Sequence, residues 1–126
     1  MLKIYLGFNA ALYLVFALWC TFWASKTATA QGFLALDGAG RAEYLTVYGG
    51  LQFGLALFFA LLAWTPRWHE VGLLFALCIY LPIVLWRIAG LVAHWPVGST
   101  TLAVAGLEAF MLLWAGWIWF SQRGSA

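Results

Sequence analysis

Two opposite charges stand inside long apolar runs, and they are the residues best placed to do chemistry. Arg87 interrupts the run from Val71 to about Trp95, and Glu108 interrupts the run from about Thr101 to Phe120. In a membrane-spanning helix a charge at that depth costs about 2.5–3.5 kcal/mol on insertion scales. Arg87 lies about eight residues before Trp95, and Glu108 about eight residues beyond the start of its run. At ~1.5 Å per residue, both sit about 12 Å beneath the same face. Consecutive helices on a short turn are antiparallel neighbours, so a pair across the hairpin is geometrically natural. A guanidinium can hold a carboxylate through two parallel hydrogen bonds, which offsets part of the insertion cost. Such a pair can be a clasp that fixes the register of two helices. It can also anchor the polar group of a ligand, or carry a proton.

Other polar residues could gather around this pair. On the preceding run, Glu43, Val47, Gly50 and Gly54 share one stripe at ~100° per residue, and Tyr48 and Gln52 share another. Gln52 lies about as deep as the pair, with Glu43 nearer the interface. Gly50 and Gly54 form a small-xxx-small step that lets another helix approach closely, so the stripe reads either as a packing seam or as one wall of a polar pocket. Tyr80, Arg87 and His94 recur every seven residues and share a face, with Pro82 between them. Pro82 frees a backbone carbonyl, which favours a cavity nearby. His94 reads as an interfacial residue or a base, and His69 as a solvated loop residue. Trp86 and Trp114 lie deeper than the other tryptophans and could pack the apolar part of a ligand.

Several chemistries are excluded. Metal ligation needs three or four converging His, Cys, Asp or Glu side chains, and two distant histidines with scattered carboxylates do not supply them. The chain has no Gly-rich phosphate loop, nucleophile elbow or haem-attachment motif. No cofactor is implied. Cys20 and Cys78 fall in separate apolar runs at different depths, which argues against a disulfide and for small packing residues.

The elements that must position these residues follow from composition. Of 126 residues, 66% are hydrophobic and 8% charged, against roughly 45–50% and about 25% in an average soluble domain. So few charges cannot cover a soluble protein this small, whereas lipid-facing residues should be apolar. Six basic and four acidic residues stand singly, without the basic cluster that a nucleic-acid partner requires. Four apolar runs each match the ~20 residues needed to cross a bilayer. The pattern predicts an all-α integral membrane protein, a four-helix antiparallel bundle forming one domain over 1–126. Its helices are expected over about 4–24, 42–64, 71–95 and 100–121, with a surface or capping segment over about 26–40. That segment carries an apolar stretch, Phe33-Leu34-Ala35-Leu36, followed by Asp37-Gly38-Ala39-Gly40. Pro66 ends the second helix and Pro96 the third, after which Ser99 and Thr100 can cap the fourth.

The first run, about 21 residues from Ile4 to Ala24, exceeds the roughly 7–15 of a signal-peptide core, which argues for a retained helix despite the cleavage-like Ala28-Thr29-Ala30. With both termini on one side, that side carries Lys3, Arg67 and Arg123, and the other Lys26 and Arg41. The bias votes for cytoplasmic termini. Trp19, Trp23 and Trp95 fall near one interface and Trp64, Trp68, Trp117 and Trp119 near the other, as interfacial belts should.

Tyr48-Gly49-Gly50 with Gly54, then Arg87 and Gly90, then Glu108, resembles a family of small bacterial four-helix inner-membrane proteins of unknown function. More distantly, the chain resembles the DoxX-type four-helix proteins. The resemblance covers essentially the whole chain. It implies that Glu43, Tyr48, Gly49, Gly50, Gly54, Arg87, Gly90 and Glu108 form a signature face. It also implies an arginine where this chain has Leu45 and an acidic residue where it has His94, so a second charged pair is not carried over.

Three readings of function follow. The first is a bundle that binds a lipid-like or quinone-like amphiphile, or docks to a larger membrane complex, with Arg87, Glu108, Gln52, Tyr48, Glu43, Tyr80 and His94 as the ligand-facing set. The second is a structural scaffold whose seam of Gly50 and Gly54 drives oligomerisation, with Gly49 and Gly90 as further packing residues. The third is an intramembrane isomerase, with Glu43 or Glu108 moving protons and Arg87 stabilising negative charge. The partners expected are membrane lipids, an amphiphilic ligand, a second copy or a larger complex, and no nucleic acid.

Overall fold

A computed structural model describes residues 1–34 and 36–124. Ala35, part of the apolar stretch in the first link, lies outside the described residues. Those residues are almost entirely helical and include no strand. The helices are α1 (Leu2–Phe22), α2 (Ala24–Ala30), α3 (Gly38–Tyr44), α4 (Gln52–Trp64), α5 (His69–Ala93) and α6 (Ser99–Gly124). A π-helical stretch, Leu45–Leu51, joins α3 to α4, and a 3₁₀ turn, Pro66–Trp68, leads into α5. Four helical segments are long and apolar enough to cross a membrane: Leu2–Phe22, Gly38–Trp64, Pro66–Ala93 and Ser99–Arg123.

The breaks have local causes. Thr65 is extended, with φ −117° and ψ 97°, because a proline clashes with an α conformation in the residue before it. The His69 ring lies 3.0 Å from the Ala63 carbonyl oxygen through Nε2, satisfying an orphan carbonyl at the end of α4. This histidine is therefore part of the turn's structure and more than a solvated loop residue. Pro82 sits inside α5 without ending it. The π-helical stretch contains Tyr48-Gly49-Gly50. Two successive glycines weaken the α-helical ladder there, and π turns inside α-helices recur at functional sites.

The first link is more ordered than a surface segment need be. α1 breaks at Trp23 (φ −126°, ψ 48°), and α2 follows at once. The chain then reverses through Gly32, whose φ of +97° strongly favours glycine. α3 begins at Gly38, four residues before the boundary expected from the hydrophobic run. Cys20, Ala24, Ala28 and Tyr44 form a small core here, with Leu36, Leu45 and Tyr48 packed against it. The Tyr44 hydroxyl is its polar centre, 2.8 Å from Thr27 Oγ1 and accepting from Gln31 Nε2 at 2.9 Å.

The main core draws on all four long segments. Leu6 of α1, Phe59 and Leu62 of α4, Leu73 and Ala76 of α5, and Met111 and Ala115 of α6 are buried together. A polar thread crosses it. The Tyr80 hydroxyl donates to Asn9 Oδ1, Asn9 Nδ2 donates to the Tyr5 carbonyl at 2.9 Å, and the Tyr5 hydroxyl donates to the Met111 carbonyl at 3.0 Å. These bonds link α1 to both α5 and α6. Asn9 is fully buried, so Asn9→Leu removes the acceptor that the Tyr80 hydroxyl needs. Thermal unfolding in detergent should show a loss of about 1–3 kcal/mol, the cost of a stranded buried donor. An unchanged midpoint would mean that the thread is dispensable.

Of the expected packing glycines, Gly49 alone is closely approached within the chain. A side-chain carbon added at Gly50, Gly54 or Gly90 meets nothing within 4 Å. At Gly72 it would lie 2.9 Å from a Leu6 methyl and 3.3 Å from a Leu62 methyl, and at Gly49 2.6 Å from Thr21 Oγ1. Within the chain, Gly72 and Gly49 are the contact glycines, while Gly50 and Gly54 face outward.

Candidate functional site

The long helices associate mainly in pairs, α1 against α4 with the π-helical stretch, and α5 against α6. The main core closes the pairs together toward the start of α1 and the end of α6. Toward the other end lies a cleft of about 510 Å³, within the range of small-molecule sites. Its walls come from the second half of α1, the first half of α6, the middle of α5, the π-helical stretch and α2.

Arg87 and Glu108 line this cleft as a bidentate pair. Arg87 Nε donates to Glu108 Oε1 at 2.8 Å, and Arg87 Nη2 donates to Oε2 at 3.0 Å. Both carboxylate oxygens are thus engaged by one guanidinium in its most favourable geometry. The guanidinium is not consumed, because its Nη1 makes no hydrogen bond among the described residues. The side chains are 34% and 17% exposed, so the pair is reachable from the cleft without lying open.

The remaining expected site residues divide. Tyr48, Gln52 and Tyr80 line the cleft with the pair. The hydroxyl of Tyr80 is committed to Asn9, so this residue shapes the floor and offers no free donor. Glu43 and His94 are exposed and are not among the lining residues. Glu43 lies on the exposed stripe that it shares with Val47, Gly50 and Gly54, away from the wall that carries Tyr48 and Gln52. His94 ends α5 beyond the cleft, as its C-cap. Trp86 is 77% exposed, and Trp114 packs edge-on against Tyr5 at 5.1 Å. Neither lines the cleft, where Phe16, Trp19 and Phe33 supply aromatic surface instead.

No family model matches the chain, and no curated protein or solved structure matches it. Function must therefore be argued from the site itself.

Several lining residues escape a sequence reading. Lys26, Gln31, Thr100 and Thr101 surround the cleft, and they lie in links or at a helix start, where polar residues are ordinary. Asn9 did carry a signal. A lone amide in an apolar helix must find a partner, and that partner, Tyr80, borders the cleft. Among the described residues no group of three or more His, Cys, Asp or Glu side chains converges on a metal-sized space. What the arrangement can do is present two cations with spare donors, Arg87 and Lys26, several amides and hydroxyls, and a wall of Leu12, Phe16, Val104 and Leu107. That combination suits a molecule with a polar end and an apolar end.

Proposed function

We propose that the protein is a bacterial inner-membrane protein of four antiparallel spans that binds an amphiphile in the cleft beside Arg87 and Glu108. The observation that carries the reading is the unspent Arg87 Nη1 bordering a largely apolar cleft of about 510 Å³. A clasp alone needs no cavity, and close packing is the default between helices.

Membrane residence is supported by the outer surface. Trp64, Val92, Trp86, Phe120 and Leu113 are each more than 70% exposed, and in water such a surface aggregates. Both termini belong on the cytoplasmic side by the lysine and arginine bias already described. The cleft then opens toward the opposite side, beneath the capping α2. Kinship with the small four-helix family suggested by Tyr48-Gly49-Gly50, Arg87 and Glu108 belongs to the same proposal.

An isomerase is the weaker reading. Acid–base chemistry needs a carboxylate within reach of substrate, but Glu108 is held through both oxygens and Glu43 lies off the cleft. Oligomerisation has one specific support, since Gly50 and Gly54 are exposed and meet no helix of their own chain. Native mass spectrometry from a mild detergent addresses both readings at once. The expected spectrum shows the chain carrying a co-purifying amphiphile. A bare monomer would contradict the proposal, and a bare dimer that Gly54→Leu dissociates would favour the scaffold.

A further inference from the structure

Resting on the amphiphile-binding reading above, we infer that the occupant is an anionic amphiphile, an acyl or alkyl chain ending in a carboxylate or phosphate, with its head held by Arg87 and Lys26. The charged residues lining the cleft are Lys26, Arg87 and Glu108, which leaves one positive charge in excess. The one acidic member is already neutralised, because both of its oxygens accept from Arg87. Lys26 forms no ion pair among the described residues, and Arg87 keeps Nη1 free.

A third feature has the same sign. α6 begins at Ser99, and its next two residues, Thr100 and Thr101, line the cleft. The Leu102 N–H already bonds back to the Gly98 carbonyl, so the N–H groups that remain without a helical partner belong to the residues just before it. A long helix places partial positive charge at that end and favours an anion there. The neutral groups do not reverse this bias. The Gln31 amide nitrogen donates to Tyr44 and to the Thr27 carbonyl, and Gln52 can serve either kind of head. A quinone or a long-chain alcohol would use the amides and leave the lysine and the spare guanidinium donors without a counter-charge. An anionic head engages all three positive features, while its chain lies along Phe16, Val104 and Leu107.

The test uses the purified full chain in a nonionic detergent, titrated by native mass spectrometry with probes of one chain length. These are a fatty acid at a pH where it is ionised, its alkyl phosphate counterpart and the matching alcohol, with inorganic phosphate as a chainless control. The acid and the alkyl phosphate should bind at least about tenfold more tightly than the alcohol, because hydrogen bonds to a charged group are worth more than neutral ones. Lys26→Gln should narrow that ratio by about threefold, the effect of one exposed charge. Lys26 is exposed and lies outside the Arg87–Glu108 pair, so an unchanged unfolding midpoint separates lost recognition from lost fold. Equal binding of acid and alcohol would overturn the charge preference while leaving the amphiphile site standing. Binding of none of the chain-bearing probes would overturn both. Inorganic phosphate bound as tightly as the alkyl phosphate would make the cleft a plain anion site.

Discussion

Glu108→Met should destabilise the protein by about 2–3 kcal/mol, and adding Arg87→Met should restore most of the loss. Removing one member of a buried ion pair strands the other, and the stranded charge causes most of the damage. The insertion cost of an isolated central charge sets the scale at about 2.5–3.5 kcal/mol. The lower part of that range applies because Arg87 keeps 34% of its side chain exposed to the cleft. A guanidinium cannot shed its proton, so Glu108→Met, which strands the cation, should be worse than Arg87→Met. Replacing both with methionine fills similar volume without burying charge, and such replacements of buried pairs are often neutral or stabilising. The double-mutant cycle in detergent thus measures the clasp. If the double variant is as unstable as the sum of the singles, the two side chains do not act as a pair.

The second large effect concerns binding. Val104→Trp should reduce amphiphile binding tenfold or more while leaving the unfolding midpoint close to that of the natural chain. Val104 lines the cleft and is not part of the main core, so an indole there occupies open space and displaces no packed neighbour. The added volume removes apolar wall that the chain of a ligand would cover, at about 0.8 kcal/mol for each methylene left in water. The Arg87–Glu108 clasp is untouched by this change. Binding that survives Val104→Trp would mean that the amphiphile sits elsewhere, for instance on the outer surface.

The two experiments separate what the sequence alone left joined. Arg87 and Glu108 were legible as a pair because depth, counted in residues from each end of one hairpin, equalled depth in space. Tyr48 and Gln52 were legible as residues one turn apart, and they share one wall of the cleft although the winding is π as far as Leu51. Glu43 was placed beside the pair although it shares a stripe with Val47, Gly50 and Gly54, and that whole stripe is exposed while Tyr48 and Gln52 face the cleft. For the glycine seam, spacing left open which neighbour it meets. Gly50 and Gly54 have the spacing of a contact motif and meet no helix of their own chain, whereas Gly72, with no such partner in register, is pressed by Leu6 and Leu62, and Gly49 by Thr21. Spacing shows which residues share a face, but which neighbour that face meets depends on tertiary packing. A polar pocket beside the pair was an expectation from Tyr48, Gln52 and Pro82, but the extent of the cleft had no sequence signature. The cleft exists because two helix pairs converge at one end and part at the other, and because α2 folds back beside them. Lys26 and Gln31 become lining residues only through that fold-back, which Tyr44 secures with a short network of hydrogen bonds.

Two roles can coexist in one ion pair. The carboxylate neutralises and orients the guanidinium, and the guanidinium keeps a donor for a third party. A structural clasp and a binding anchor are not competitors in this geometry, because the bidentate contact uses only Nε and Nη2. Tyr48 of the π-helical stretch and Gln52 at the start of α4 line the same cleft as the pair.

The most direct measurement is a crystal structure grown from a lipid mesophase, read at the cleft. Elongated density running along Phe16, Val104 and Leu107, ending within hydrogen-bond reach of Arg87 Nη1, is the expected result. A cleft closed by side chains, with Nη1 satisfied by the protein itself, would contradict the proposed function and leave the ion pair as a clasp.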